Sequence, residues 1–248
     1  MPDTVLIERD GPIVTVVINR PEKLNAINKM TWIALGDVIE VLDADDTVRC
    51  IVLRGAGDKA FSPGADISEF ETERADRDKA RAYNTTVERT INALEACRHP
   101  TLALIKGVCV GGGLEVAAFC DMRFCGQSSK FGVPIKRLGL VMAYAELRGI
   151  VNLVGRAKTL EILLEGRIFG SDEALRMGLV NRIDADDEVE AECYATACRV
   201  AEGAPLVTRF HKQAIIRLAD PTPPSNEEIE ASLDCYASED FHIGYRAF

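Results

Sequence analysis

Two glycine-containing segments and one glutamate are the parts of this sequence best suited to chemistry. The first segment, residues 61–67, is F-S-P-G-A-D-I, and the second, residues 107–115, contains three consecutive glycines and ends at Glu115. Glycines let backbone amides approach a ligand closely, and amides at the start of a helix stabilise an anion. Two such amides directed at one carbonyl oxygen would form an oxyanion hole, with Glu115 beside it as acid or base.

Each segment follows a predicted strand. Cys50–Leu53 precedes the first segment and Thr101–Ile105 precedes the second, and ligands of open α/β sheets favour the crevice beyond the carboxyl ends of strands. A simpler interpretation stays open on spacing alone, because glycine-rich turns are common and a first-turn glutamate complements the helix dipole. Asp66 is expected to cap the following helix rather than to react.

The rest of the chain predicts an α/β fold. Val5–Ile7 and Ile13–Ile18 flank an Asp-Gly-Pro turn and predict a hairpin, while Asn28 is placed to cap a helix. Residues 69–81 are mostly charged, which is typical of a solvated helix or a mobile loop. Strands and helices alternate to about residue 185 and the pattern is helical afterwards. We therefore expect a core over residues 1–185 and a C-terminal helical region over residues 186–248.

The composition limits the class of partner. Lys and Arg number 29 against 39 Asp and Glu, a net charge of −10, which argues against nucleic acid or an anionic membrane surface. No apolar stretch approaches the ~18–20 residues of a membrane-spanning helix. The eight cysteines are scattered without a C-x-x-C pair, which indicates reduced thiols and a cytoplasmic location. The three histidines lie far apart in the chain, so no metal site is expected.

Several motifs resemble those of the crotonase superfamily, the enoyl-CoA hydratase/isomerase family. They occur in consistent order over almost the whole chain: N-R-P at 19–21 with L-N-A-I at 24–27, the segment 61–67, G-G-G-L-E at 111–115, C-D at 120–121, F-G-V-P at 131–134, L-G-L at 138–140 and A-x-x-x-G-L-V at 174–180. The resemblance implies a crotonase-like α/β spiral of ββα-type turns with a C-terminal helical trimerisation region. It also implies a homotrimer, or a hexamer made of two trimers.

The resemblance further implies the ligand and its contacts. Family members bind acyl-CoA thioesters and need no separate cofactor, because coenzyme A is part of the substrate. The thioester oxygen accepts from two backbone amides, which map by motif position to Ala65 and Gly112, and an enolate held there is the shared intermediate. Substrate or coenzyme A contacts are implied for a further set of residues, Lys23, Ala26, Pro63, Gly64, Asp66 and Ile67.

One position departs from the family pattern. Family hydratases use two glutamates, of which the first maps to Glu115 and the second falls on Ile135, which cannot carry a proton. Glu146 is a candidate replacement, although its place near a helix start also suits a partner of the helix dipole or a neighbour of Arg148. Tyr144 is expected to pack in the core rather than to donate a proton.

Three functions stay open. The first is an enoyl-CoA hydratase or isomerase that works through Glu115. The second is a non-catalytic acyl-CoA-binding protein, which the loss of one glutamate motivates. The third is a different reaction on the same scaffold, such as decarboxylation or hydration of an unusual acyl-CoA. The presence of Glu115 and of both glycine loops favours catalysis.

Overall fold

The computed structural model describes residues 3–247, which form two β-sheets and the helices around them. In chain order the strands are β1 (Val5–Asp10), β2 (Ile13–Ile18), β3 (Cys50–Gly55), β4 (Ala60–Ser62), β5 (Thr101–Ile105), β6 (Val108–Val110), β7 (Met122–Gly126), β8 (Lys130–Gly132), β9 (Phe169–Gly170) and β10 (Arg182–Asp184). The helices are α1 (Lys29–Asp43), α2 (Phe70–Glu73), α3 (Arg77–Ala96), α4 (Gly112–Ala118), α5 (Tyr144–Glu165), α6 (Ser171–Met177), α7 (Val189–Glu202), α8 (Pro205–Arg217), α9 (Asn226–Ala231) and α10 (Glu239–Ala247).

The larger sheet has the strand order β1-β2-β3-β5-β7-β10, and the smaller has the order β4-β6-β8-β9. β1 and β2 form the predicted antiparallel hairpin, with Asp10 opposite Ile13. The other neighbours in the larger sheet are parallel. In the smaller sheet β4, β6 and β8 are parallel and β9 is antiparallel to β8. Strands that alternate with helices around parallel sheets confirm the predicted α/β class.

Helices cover both faces of the larger sheet, which explains why its central strands are apolar throughout. All six residues of β2 are buried, as expected for a strand that packs on two sides. One face packs against α1 and α3 through Leu35, Ile39 and Ile91. The other face packs against α7 through Cys193 and Ala197. α7 therefore takes part in covering the sheet, although it lies after residue 185.

Local signals in the first half of the chain act as predicted. Asn28 caps α1, because its side-chain oxygen accepts from the Thr31 amide at 2.9 Å. α3 ends before Pro100, since the residue ahead of a proline is driven out of the helical region. The charged residues 69–81 form α2 and the start of α3, and Asp76 caps α3 by accepting from the amides two and three residues later.

The last two helices contribute little to the core of this chain. Neither α9 nor α10 contains a buried residue among those described, and this part of the chain exposes large apolar side chains such as Ile229, Tyr236 and Ile243. Trimerisation through the C-terminal region stays a prediction, as does the division of the chain after residue 185.

Residues 3–247 contain no disulfide, no membrane-spanning helix and no cluster of metal-binding side chains. All eight cysteines are unpaired, and six of them are buried. In the described part of the chain no helix is long and apolar enough to cross a membrane. Over the same residues, no group of three or more His, Cys, Asp or Glu side chains is placed to hold a metal ion.

Candidate active site

The carboxyl ends of three parallel strands meet at one cavity. β4 ends at Ser62, β6 at Val110 and β8 at Gly132, and the segments that follow them line a cavity of about 260 Å³. As predicted, the two glycine segments follow β3 and β5 along the chain. The strands nearest to the segments are, however, the short strands β4 and β6, which belong to the smaller sheet. The sequence analysis did not predict β4 and β6, because three-residue strands carry too little periodicity to be recognised.

The cavity brings most of the predicted site residues together. Those that line it are Pro63, Gly64, Ala65, Ile67, Gly112, Glu115 and Glu146. Three predicted residues are not part of the lining: Lys23, Ala26 and Asp66. Lys23 is exposed, whereas Ala26 is buried and its carbonyl accepts from Arg20 at 2.6 Å.

The amides of Ala65 and Gly112 are both available at this cavity. Ile27 forms a parallel bridge with Ala65, in which the Ile27 amide donates to Gly64 at 2.8 Å and its carbonyl accepts from Asp66 at 3.0 Å. Because these bonds go to the residues on either side of Ala65, the Ala65 amide faces away from Ile27. Within residues 3–247, neither this amide nor that of Gly112 donates to a backbone or side-chain acceptor.

Gly64 and Gly112 allow the two loops to approach each other closely. A Cβ atom added to Gly112 would lie 3.5 Å from the Ala65 nitrogen, so the two free amides belong to one small region. Gly64 has φ of +101°, and a Cβ atom there would lie 2.8 Å from the Gly112 nitrogen. Glycine is therefore required at position 64 both by the backbone conformation and by the neighbouring amide.

Glu115 lies in the first turn of α4, and only 5% of the residue is exposed. Among residues 3–247, burial and the charges of Glu146 and Arg74 act on its carboxyl group, with no hydrogen bond beside them. Burial raises the pKa of Glu115 well above its ordinary value, the charge of Glu146 raises it further, and Arg74 opposes the shift. A buried acid with a raised pKa and no hydrogen-bond partner is suited to proton transfer.

Glu146 lines the cavity and also caps a helix. Its Oε2 accepts from the Ala143 amide at 2.5 Å, so the alternative of a partner for the start of α5 agrees with the geometry. Burial raises the pKa of Glu146, while the Ala143 amide and Arg74 partly offset the shift. Arg148 forms its ion pair with Glu95 at 2.5 Å instead. Capping uses one carboxyl oxygen and leaves the other for a ligand.

Ile135 supplies an aliphatic side chain to the cavity wall. It lies in a short 3-10 turn, Pro134–Leu138, and packs against the main apolar core. Leu140 and Val141 continue the wall. The cavity lining thus combines two carboxyl groups with several aliphatic side chains, a mixture that is typical of small-molecule sites.

Asp66 acts mainly as a cap, as the sequence suggested. It accepts from the Ser68 amide at 3.1 Å and forms an ion pair with Arg20 at 2.8 Å. Burial raises the pKa of Asp66, but the bonds from Ser68 and Arg20 outweigh that effect and lower it. Asp66 is therefore held ionised and fixes the loop that carries Ala65.

The expectation that Tyr144 packs in the core is wrong. Tyr144 is 93% exposed because it begins α5 on the side facing away from the cavity. Side chains two positions apart on a helix point in directions that differ by about 200°. Because Glu146 is buried, Tyr144 therefore points towards solvent.

Trp32 and Arg74 are among the cavity residues that the sequence did not predict. Trp32 comes from α1 and donates through Nε1 to the Tyr83 hydroxyl at 3.1 Å. Arg74 follows α2 and lies over the Tyr83 ring, with its guanidinium carbon 4.0 Å from the ring centroid. Arg74 belongs to the charged stretch 69–81, where nothing in the spacing separates it from exposed neighbours.

Known proteins resemble the chain over its whole length. A family model described as Enoyl-CoA hydratase/isomerase matches residues 8–248. The short-chain-enoyl-CoA hydratase of Clostridium acetobutylicum is 32% identical over 248 residues, which cover 99% of this chain and 94% of that protein.

Solved structures share the fold. An enoyl-CoA hydratase/carnithine racemase from Magnetospirillum magneticum matches with a TM-score of 0.98 and 47% identity, covering 100% of this chain and 93% of the other. A putative enoyl-CoA hydratase/isomerase family protein from Hyphomonas neptunium matches with a TM-score of 0.94 and 34% identity, covering 99% and 94%. The predicted crotonase-like fold is thus confirmed. The chain belongs to the enoyl-CoA hydratase/isomerase family, the crotonase superfamily, and is an enzyme of that family.

Proposed function

We propose that this enzyme acts on a short acyl-CoA or enoyl-CoA thioester, with Glu115 as the group that moves the proton. The observation that carries the proposal is one cavity in which the buried Glu115 carboxyl and the amides of Ala65 and Gly112 all lack protein partners. Chemically distinct groups left free at the same place indicate a site prepared for a ligand. The volume of about 260 Å³ suits a small acyl group.

The two amides would hold the thioester oxygen. When a proton leaves or joins the carbon next to the carbonyl, negative charge develops on that oxygen, and two fixed N–H donors stabilise it. Ala65 is fixed by the bridge to Ile27, and Gly112 lies at the start of α4. Neither donor has to move during the reaction, so the stabilisation costs little reorganisation.

The two carboxyls would share the proton work. In hydration, one carboxylate takes a proton from water as the water oxygen bonds to the β-carbon, and a protonated carboxyl gives its proton to the α-carbon. Glu115 is the α-carbon donor in this scheme, and Glu146 replaces the missing second glutamate through its free oxygen. In a double-bond shift, Glu115 alone would take a proton from one carbon and return it to another.

The aliphatic side chain of Ile135 is compatible with two alternative functions, a different reaction on the same scaffold and non-catalytic binding of acyl-CoA. An aliphatic residue there would favour decarboxylation or another reaction that avoids water at that wall. A protein that only binds acyl-CoA would also tolerate it. A carboxyl that lines the cavity and whose pKa is raised by burial favours proton transfer over simple binding.

The remaining predicted contacts would serve coenzyme A outside the acyl cavity, and we propose no separate cofactor. Leu24 and Asn25 both have positive φ, at 53° and 64°, and such consecutive strain in non-glycine residues is typical of functional loops. Asn25 ties the loop to β4 through a 2.8 Å bond to the Ala60 carbonyl. This loop carries Lys23 and Ala26, which the resemblance assigns to coenzyme A.

Product analysis tests the proposal most directly. The enzyme is incubated with crotonyl-CoA, a dienoyl-CoA and malonyl-CoA. Mass spectrometry then detects hydration as the gain of water and decarboxylation as the loss of carbon dioxide. Isomerisation leaves the mass unchanged and is detected by chromatography of the products. Glu115→Gln should abolish turnover while acyl-CoA still binds, and Glu88→Gln, an exposed glutamate on α3, should behave as wild type. Full activity in Glu115→Gln contradicts the proposed role.

We also propose that the C-terminal helices mediate self-association into a trimer or a hexamer of two trimers. The exposed apolar side chains of α9 and α10 support this, because water contact with that much apolar surface is unfavourable. Native mass spectrometry would give the subunit number, and a monomer at micromolar concentration would contradict the proposal. The eight unpaired thiols fit the predicted reducing, cytoplasmic location.

A further inference from the structure

Arg74, one of two arginines that line the acyl cavity, lies over two aromatic rings. The guanidinium carbon of Arg74 lies 4.0 Å from the ring centroid of Tyr83 and 4.9 Å from that of Phe70. Stacking on aromatic faces fixes the plane of a guanidinium and so the direction in which its N–H groups point. Arg74 lines the same cavity as Glu115 and Glu146.

Arg74 has an unused donor in this position. Its Nε is buried and has no hydrogen-bond partner. Among residues 3–247, no carboxylate oxygen lies within 4.0 Å of its guanidinium nitrogens, whereas Arg89 pairs with Asp37 and Glu40. A buried N–H without an acceptor is unfavourable, and the guanidinium charge also lies at the cavity without a carboxylate partner, so Arg74 has unused capacity to bind an anion.

The surroundings identify the kind of ligand that would meet this arginine. Ile135, Leu140 and Val141 offer aliphatic contacts for methylene groups, and they offer no hydrogen bonds. Arginine presents paired N–H groups that match the two oxygens of a carboxylate. An acyl chain with a methyl end would satisfy the walls and leave Arg74 without an acceptor.

We infer, on the basis of the proposed function, that the acyl group of the substrate carries a carboxylate that Arg74 binds. The substrate class is then the coenzyme A monothioesters of short dicarboxylic acids. Arg74 is a specificity-determining residue in this scheme, and the reaction still proceeds at the thioester end through Glu115. The positive charge of Arg74 also offsets repulsion between the incoming carboxylate and the two glutamates.

Binding of two saturated thioesters tests this inference without any turnover. Glutaryl-CoA and valeryl-CoA have the same chain length and differ in a terminal carboxylate. Trp32 is the only tryptophan of the chain and lines the cavity, so its fluorescence gives the dissociation constants. We expect glutaryl-CoA to bind about 10-fold tighter than valeryl-CoA. Arg74→Met should remove this preference, so that the two dissociation constants become equal.

Two further variants keep the result interpretable. Arg74→Lys retains the charge without the paired donors and should keep only part of the preference. Arg81→Met removes an exposed arginine of α3 and should keep all of it. If Arg74→Met does not fold, the wild type and Arg74→Lys decide the question.

Equal affinities in the wild type, or a preference that survives in Arg74→Met, would overturn the inference. A changed pH profile for crotonyl-CoA turnover in Arg74→Met, without any carboxylate preference in the wild type, would also overturn it and make Arg74 a counter-ion of the glutamates. A carboxylate preference in a protein that turns over no thioester would support Arg74 as the carboxylate site and contradict the proposed function.

Discussion

Glu115 and Glu146 face one cavity although they begin different helices, α4 and α5. Only 5% and 8% of these residues are exposed. Burial raises the pKa of both, and the charge of Glu146 raises that of Glu115 further. Two buried carboxyls favour a state in which at least one keeps its proton. The pair can therefore hold the acid and the base of a proton-transfer reaction at the same time.

Glu146→Gln separates catalysis from helix capping. Glutamine keeps an oxygen that accepts from the Ala143 amide but cannot ionise. If Glu146 replaces the missing second glutamate, kcat for hydration should fall by about 10²–10⁴-fold while the melting temperature changes little. Initial rates with crotonyl-CoA and thermal unfolding measure the two effects.

Glu228→Gln is the matched control for this variant. Glu228 closes a similar first turn in α9, accepting from the Ser225 amide at 2.7 Å, and its helix does not line the cavity. We expect Glu228→Gln to keep full activity. An unchanged kcat in Glu146→Gln would limit Glu146 to a capping role.

Ile135→Glu adds a carboxyl at the position to which the resemblance maps the second glutamate of family hydratases. Ile135 lines the cavity and is only partly buried, so a glutamate there should reach the ligand. We expect hydration of crotonyl-CoA to increase about 10-fold and the free energy of unfolding to fall by about 1–3 kcal/mol. Ile135→Gln introduces a side chain of the same shape as glutamate but without the charge. An equal gain in hydration in that variant would contradict a role for the added carboxylate.

The sequence was sufficient for the parts of the site that local geometry determines. The caps formed by Asn28 and Asp66 could be predicted because capping depends on neighbours within a few residues. The place of Glu115 in the first turn after the glycines could be predicted in the same way, while its catalytic role stays a prediction. The parallel core strands could also be predicted, since burial on both faces requires continuous apolar runs such as Ile13–Ile18.

Contacts between distant segments could not be predicted in the same way. Arg74 reaches the cavity because α2 and α3 position it against Tyr83, and the charged sequence around it is equally compatible with full exposure. Tyr144 is exposed because Glu146 is buried, and tertiary packing determines which of the two is buried. One sequence without a structure gives no measure of which of these two side chains turns inward.

Gly64→Ala tests the close approach of the two loops. Position 64 has φ of +101°, and the new Cβ would lie 2.8 Å from the Gly112 nitrogen. The backbone conformation should cost about 1–2 kcal/mol, and the clash should add to that cost. If the Gly112 amide is an oxyanion donor as proposed, displacing it should also reduce kcat by about 10²–10³-fold.

Gly57→Ala is the control for backbone strain alone. Gly57 also has positive φ, at +70°, but no atom lies within 4 Å of a Cβ placed there. Urea unfolding should show a loss of stability for both variants, with the larger loss and the loss of activity confined to Gly64→Ala. Equal stability losses with full activity in both would show that the Gly64 and Gly112 loops tolerate separation.

The raised pKa of Glu115 predicts how stability depends on pH. Burial and the charge of Glu146 make the folded-state pKa higher than the unfolded value, so the folded protein binds the proton more tightly. The contribution of Glu115 to stability is then fully present below the unfolded pKa, about 4.3, and is lost as pH rises through the folded pKa. Glu115→Gln cannot ionise, so its stability relative to wild type should increase over that interval, by at most about 1.4 kcal/mol per pH unit.

Urea unfolding of Glu115→Gln and wild type between pH 3 and pH 9 measures this dependence. Asp45→Asn is the control in the same series, because the pKa of Asp45 is shifted in the opposite direction. Hydrogen bonds from the Thr47 side chain and amide, with one from Arg9, lower the pKa of Asp45 to about 2. Its contribution is therefore present above the unfolded pKa of about 3.9 and is lost as pH falls through the folded value. The Asp45→Asn difference from wild type should shrink towards acid, while the Glu115→Gln difference grows towards alkali. A Glu115→Gln difference that is constant across the series would mean that Glu115 ionises as freely in the folded protein as in the unfolded chain.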